Sequence, residues 1–160
     1  MRCASATKAA TSSVRLSASC SDRSPGVPIL VKLAPDLTEE ALEQALEVCE
    51  TAGAAGLVAA NTTLGREHLH PADRSRAGEA GGLSGAPLTE RARAVVGFLA
   101  KRTELPIIAV GGIMSRDDGQ AMLDAGARLL QVYTGFVYAG PALVTELNRL
   151  TARPFQEIDR

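Results

Sequence analysis

The feature that most constrains the fold of this chain is a repeated alternation of short apolar runs and amphipathic segments. The apolar runs are residues 28–34 (PILVKLA), 55–60 (AGLVAA), 106–110 (PIIAV) and 127–133 (ARLLQVY). In 38–52, after the first run, apolar residues recur at intervals of three and four, as on one face of a helix, and the same spacing recurs after each later run. Ser115 is placed to cap the third of these helices. Continuous apolar strands alternating with helices predict an α/β fold in which a parallel sheet is covered by helices.

Two architectures produce this alternation, a doubly wound sheet and a (β/α)8 TIM barrel. No GxGxxG motif follows the first strand, so the dinucleotide-binding form of the doubly wound sheet is not expected. Glycines and a hydroxyl residue follow the last two strands, as Gly111-Gly112 and Tyr133-Thr134-Gly135. The corresponding barrel loops commonly bind a phosphate, because glycine lets backbone N–H groups approach an anion. Ordinary turns between strands and helices also contain glycine and are the alternative interpretation.

Composition excludes several classes of function. The net charge of -1 and the pI near 6.1 give no electrostatic reason to expect a nucleic-acid partner. No run of 18 apolar residues is present, so no transmembrane segment is expected. Three cysteines without CxxC spacing, and two histidines in one loop, predict neither a disulfide framework nor a metal site.

The first 26 residues differ in composition from the remainder. They are rich in Ser, Ala and Thr, with four basic residues and a single acid, Asp22. We expect 1–26 to be a disordered or non-native segment, and an organellar transit peptide is the alternative. The expected domain is 27–151, followed by a tail at 152–160.

Polar residues at the strand ends are the candidates for ligand contact. Lys32 interrupts an apolar strand, and its positive charge suits an anionic or electron-rich ligand. The alternative is that its side chain extends from the strand end to water. Asn61-Thr62-Thr63 offers an amide and two hydroxyls to a planar ligand, or forms a turn in which Asn61 caps its own backbone. The glycine-dense loop 81–85 is a weak signal alone. Asp36 is expected to be a helix-start acid, together with Glu39 and Glu40.

Five blocks of the chain resemble a known family when they are taken together. They are VKLAPDLT (31–38), ANTT (60–63), GEAGGLSGAPL (78–88), LPIIAVGGI (105–113) and AGARLLQVYTGFVYAGP (125–141). Over about residues 27–150 the chain is similar to the C-terminal half of class 2, quinone-dependent dihydroorotate dehydrogenase. The resemblance implies a partial TIM barrel of about four C-terminal βα units.

The resemblance also implies an activity and a set of binding residues. The family oxidises dihydroorotate to orotate in pyrimidine (UMP) biosynthesis with FMN as cofactor. It passes the electrons to a quinone as a peripheral protein of the bacterial or mitochondrial inner membrane. The matching positions for FMN are Lys32, Ser84, Gly85, Gly111, Gly112, Tyr133 and Thr134. Asn61 and Thr62 match the orotate-binding positions.

Two departures from the family qualify these expectations. Ala60 stands where the family usually has a threonine before Asn-Thr-Thr, and a lost hydrogen bond there costs about 0.5–1.5 kcal/mol. The family's earlier strands, which carry its catalytic serine base, would precede Pro28, and 1–26 do not match them. We therefore assign no catalytic residue and expect a truncated chain that is inactive alone.

A half-barrel leads to expectations for the behaviour of the purified chain and to two alternative functions. The purified chain should show neither flavin absorbance nor dihydroorotate-dependent dye reduction, and it should self-associate through open sheet edges. A non-catalytic half-barrel that binds a phosphorylated ligand or pairs with another half is the main alternative. A different phosphate-binding barrel enzyme, such as another flavoprotein or an aldolase-like protein, is disfavoured because ANTT, GGLSG and QVYTGF occur together.

Overall fold

The computed structural model describes residues 2–5 and 26–151, with only the backbone described at 2–5 and at 151. Its five parallel strands are β1 (Arg2–Ser5), β2 (Ile29–Leu33), β3 (Gly56–Ala59), β4 (Ile107–Val110) and β5 (Leu129–Gln131). Its helices are α1 (Glu39–Thr51), α2 (Thr89–Ala100), α3 (Arg116–Asp124), α4 (Thr134–Ala139) and α5 (Pro141–Thr151), with 3-10 turns at Pro71–Arg76 and Ala86–Leu88.

The strands pair in the order in which they occur along the chain, β1-β2-β3-β4-β5, and every pairing is parallel. A doubly wound sheet reverses its strand order at a switch point, whereas a barrel winds in one direction. The consecutive order therefore confirms the predicted part of a (β/α)8 barrel. Strands β2 to β5 each lie inside one of the four predicted runs.

One helix and one strand are not indicated by the sequence pattern. Helix α4 occupies residues that the pattern predicts as a loop after the last strand. Strand β1 pairs with β2 in the register Arg2↔Ile29 to Ser5↔Lys32, so these four residues of the N-terminal segment join the sheet. The domain division near residue 26 stays a prediction, since 6–25 and the tail 152–160 lie outside the described residues.

Local hydrogen bonds explain where two helices begin. The Thr38 side chain accepts from the Ala41 N–H at 3.2 Å at the start of α1. Ser115 and Asp118 form a reciprocal capping box at the start of α3, which confirms Ser115 as the N-cap. Such caps satisfy N–H groups that have no partner within the helix.

The two faces of the sheet differ in how they are covered. Alternate strand residues on one face, Val31, Leu33, Leu57, Ala59, Ile107 and Ala109, pack with the buried helix residues in one core cluster. The other face carries a small cluster of Leu30, Val58 and Val110, with Ile108 partly buried beside it. Leu129 pairs with Ile108 in the register and is 47% exposed, so this second face, called the open face below, is exposed at its β5 end. In a barrel this face is the interior.

No helix among the described residues is long and apolar enough to cross a membrane.

Candidate functional site

The carboxyl ends of the parallel strands bring most of the predicted ligand contacts to one edge of the sheet. Lys32 is the penultimate residue of β2, and Asn61–Thr62 follow β3. Gly111–Gly112 follow β4, and Tyr133–Thr134 follow β5. This edge is where parallel α/β proteins bind their ligands, because loops from several strands converge there.

A cavity of about 1020 Å³ opens at this edge beside loop 81–85, called the glycine-rich loop below. Three predicted FMN contacts, Ser84, Gly85 and Thr134, line it. The Thr134 hydroxyl donates to Ser84 Oγ at 2.9 Å, so two positions far apart in the sequence meet. The other predicted contacts lie outside its lining.

The charged residues of the cavity lining balance one another. Three arginines, Arg66, Arg76 and Arg93, and three acids, Asp73, Glu79 and Glu90, line the cavity. The Arg76 guanidinium is 2.8 Å from Glu79, and this hydrogen bond raises the pKa of Arg76 above its ordinary value. An anion in this cavity would therefore depend on hydroxyl and backbone N–H donors rather than on an excess of positive charge in its lining.

Gly111 and Gly112 adopt φ angles of +107° and +73°, which side-chain-bearing residues rarely do. A Cβ on Gly112 would collide with the Thr89 backbone, and one on Gly111 would lie 2.7 Å from Leu88 Cδ2. The Thr89 hydroxyl also donates to the Gly112 carbonyl at 2.7 Å. Both glycines thus let the start of α2 pack onto the end of β4, a structural role beside the predicted phosphate contact.

The segment after β3 is held as a tight turn. The Asn61 N–H donates to the Leu33 carbonyl at 2.8 Å, and Asn61 Oδ1 accepts from the Thr62 N–H at 2.9 Å. The second bond matches the turn alternative raised for Asn61. Thr62 lies so close to Gly82 that a Cβ there would overlap its hydroxyl. The turn therefore presses Asn61–Thr62 against the glycine-rich loop.

The remaining predicted contacts differ in exposure. Lys32 is half-buried and, by strand alternation from Leu30, lies on the open face of the sheet. Tyr133 is 80% exposed and precedes α4 without making a side-chain cap. Ala60, the departure from the family pattern, is buried in the main core cluster.

Sequence reasoning missed the role of Asp36. Its carboxylate does not cap α1, because Thr38 does so. Asp36 instead accepts from the Thr63 hydroxyl at 2.5 Å and from the Leu64 N–H at 2.8 Å. The signal available in the sequence was an acid placed directly after a strand end and Pro35, ahead of the helix-capping threonine.

Arg66 was also missed as a link between loops. Its guanidinium donates to the carbonyls of Thr63, Leu64 and Gly65 at 3.1–3.2 Å. It also donates to the Gly81 carbonyl at 2.6 Å, across to the glycine-rich loop. Five fixed N–H donors make arginine suited to such bridging.

No cluster of His, Cys, Asp and Glu in residues 2–5 and 26–151 could hold a metal ion. Cys49 lies in the core, where burial and then the neighbouring Glu50 raise the pKa of its thiol. A buried thiol of this kind packs as a small apolar group.

Comparisons with known proteins agree on one family. The family model described as dihydroorotate dehydrogenase matches residues 3–152. The chain is 60% identical over 119 residues to "Dihydroorotate dehydrogenase (quinone)" of Salinispora arenicola, covering 73% of this chain and 35% of that protein. It is 55% identical over 124 residues to the protein of the same name from Chloroflexus aurantiacus, covering 76% of this chain and 34% of that protein.

Solved structures give the same result. The crystal structure of DHODH from Eimeria tenella in complex with ferulenol superposes with a TM-score of 0.69 at 35% identity, covering 76% of this chain and 32% of that one. The ligand-free form from the same organism gives a TM-score of 0.68. This chain spans about a third of the length of the curated relatives it matches. By its matched residues and its fold, the chain belongs to the dihydroorotate dehydrogenase family.

Proposed function

We propose that this chain supplies the FMN-phosphate and part of the orotate site of a quinone-dependent dihydroorotate dehydrogenase. The reaction would be the oxidation of dihydroorotate to orotate in pyrimidine biosynthesis. The observation that carries the proposal is the convergence of Lys32, Asn61–Thr62, Gly111–Gly112 and Thr134 at one sheet edge, in a chain of this family. The alternative of a non-catalytic half-barrel is not favoured by the family membership.

The donor set at this edge fits FMN. Gly111, Gly112, Tyr133 and Thr134 would hold the phosphate, because adjacent strand ends offer backbone N–H groups and a hydroxyl. Ser84 and Gly85 would contact the flavin and its ribityl chain from the cavity wall. When bound, FMN would accept two electrons from dihydroorotate and pass them to a quinone.

The residues of this chain would bind and orient the reacting groups. Lys32 would place a positive charge beside the flavin ring, where reduction adds negative charge. The amide of Asn61 and the hydroxyl of Thr62 would form hydrogen bonds with the donor and acceptor groups of the pyrimidine ring. We assign the general base to none of the described residues, so we do not expect turnover from the 160-residue chain alone.

Further proposals concern partners and location. Dihydroorotate and orotate would be the small-molecule partners, and a membrane quinone would be the electron acceptor. The protein would associate peripherally with the membrane that holds the quinone. These proposals rest on the family name that the relatives carry.

A titration with FMN and riboflavin tests the site. We expect the chain to be colourless after purification but to bind added FMN at least about tenfold more tightly than riboflavin, because charge-assisted hydrogen bonds contribute about 1.5–3 kcal/mol. Fluorescence quenching would measure both affinities. Thr134→Val should reduce the preference for FMN, and Thr145→Val, on an exposed helix face, should leave it unchanged. Equal affinity for the two flavins, or no binding of FMN, would overturn the assignment.

A further inference from the structure

We propose that Asp36 and Thr63 are positioning residues that hold the Asn61–Thr62 segment in place at the edge of the sheet. The proposal rests on the proposed function only for the identity of the ligand that this segment reads. Neither Asp36 nor Thr63 is among the positions that the family resemblance matches to FMN or orotate.

Thr63 is buried, with 4% of its surface exposed, and both hydrogen-bonding roles of its hydroxyl are used. The hydroxyl donates to Asp36 Oδ1 at 2.5 Å and accepts from the Gly65 N–H at 2.9 Å. A buried hydroxyl without partners would be costly, so this geometry fixes the side chain. Because Thr63 follows Thr62 directly, its placement sets where the turn lies.

Asp36 is itself anchored by a second element. Its other oxygen accepts from the Leu64 N–H at 2.8 Å. Arg91 of α2 places Nε 3.4 Å from Asp36 Oδ1, and the same nitrogen donates to the Pro35 carbonyl at 2.8 Å. The carboxylate therefore links the end of β2 to the loop after β3, while α2 supplies the compensating charge.

The backbone of Thr63 makes a third connection. It exchanges two hydrogen bonds with Leu83, at 3.1 and 2.7 Å, in an antiparallel bridge. Leu83 precedes Ser84, which lines the cavity. Three segments meet at Thr63: the loop after the strand that carries Lys32, the Asn61–Thr62 turn, and the loop that carries Ser84. A shift of Thr63 would move Asn61–Thr62 relative to the other two.

A positioning role and a general contribution to stability predict different patterns of amide exchange. Thr63→Val keeps the branched shape and the backbone bridge but removes the hydroxyl. We expect the Leu64 and Gly65 amides to exchange about tenfold faster, as for a lost charge-assisted bond, with the β4 amides unchanged. Thr63→Ser restores the hydroxyl and should restore protection. Thr145→Val, in helix α5, is the matched control for the substitution.

Two results would overturn the proposal. One is unchanged exchange at Leu64 and Gly65 in Thr63→Val, and the other is an equal acceleration throughout the sheet. If Thr63→Val does not fold, Asp36→Asn replaces it, because the Asp36 side chain is 27% exposed and the amide keeps one acceptor oxygen. The same local acceleration supports the proposal, and the same two results count against it.

Orotate binding provides a readout that a structural role alone would not change. With FMN present, Thr63→Val should weaken orotate binding about tenfold, equivalent to about 1.4 kcal/mol, while Thr63→Ser should stay close to wild type. Equal orotate affinity in wild type and Thr63→Val would contradict the proposal. If the wild-type chain binds no orotate, the proposed function fails, and the exchange experiment still decides whether Thr63 positions the segment.

Discussion

Gly112 shows how a residue that is predicted to contact a ligand also serves packing. Its φ of +73° and its contact with the Thr89 backbone both require a residue without a side chain. Thr63 makes a similar point, because its hydroxyl is used inside the protein rather than offered to a ligand. The chemical type of a residue at a strand end therefore did not distinguish predicted ligand contacts from residues whose polar groups bond within the protein.

Gly112→Ala should destabilise the chain more than Gly53→Ala does. Gly53 has a similar φ of +69° but no atom within 4 Å of the place that a Cβ would take, so it measures the backbone cost alone. That cost is about 1–2 kcal/mol. The clash with Thr89 should add about 1–3 kcal/mol at Gly112. Urea denaturation followed by circular dichroism gives both values, and equal losses would show that α2 moves away freely.

At the scale of elements, the sheet divides into a covered and an open face. Leu57 on the covered face is fully buried, whereas Leu129 on the open face is 47% exposed. The apolar runs predicted strands buried on both faces. This holds at β3, where Val58 on the open face is 4% exposed, but it fails at β5. The physical reason is that β5 is an outer strand, with β4 as its one neighbour among the described residues.

Leu57→Ala and Leu129→Ala should separate the two faces energetically. Removing a fully buried leucine side chain costs about 2–5 kcal/mol through lost burial and a residual cavity. A substitution at a half-exposed site in the isolated chain should stay within about 0.5 kcal/mol. Thermal unfolding of the two variants measures the difference. Similar destabilisation by both would mean that the open face is covered in solution.

At the scale of the whole molecule, the described sheet has two outer strands, β1 and β5, and the lateral edge of each is unpaired. Among the described residues, β1 pairs only with β2, and β5 pairs only with β4. Unpaired strand edges are templates for association with another chain. The family relatives are about three times as long, which leaves the whole enzyme's activity as a proposal for this chain.

The 160-residue chain on its own should self-associate in a concentration-dependent way. Light scattering coupled to size-exclusion chromatography measures the mass. Leu129→Lys places a charge on the open face in β5, an outer strand of the sheet. It should shift the population toward monomer, because charged residues oppose pairing between strand edges. Leu64→Lys, at a 74% exposed loop position, is the control. A single monomeric species at all concentrations would refute the expectation.

The sequence by itself determined the strand and helix alternation, the capping of α3 by Ser115, and the family. These features depend on local periodicity, on helix-start chemistry and on short motifs, and each of these is encoded by residues that are close together in the sequence. It did not indicate α4, because six residues are too few to show a helical period. It did not indicate β1, which has no apolar run and joins the sheet through backbone pairing.

Only the tertiary structure decided which polar residues meet. The contacts of Asp36 with Thr63, of Thr134 with Ser84 and of Gly112 with Thr89 join positions that are distant along the chain. Such contacts depend on strand order and on how each helix packs on the sheet, and no local pattern encodes them. The sequence therefore predicted that the carboxyl ends of the strands carry the candidate site, and the fold decided which residues there are held by other residues.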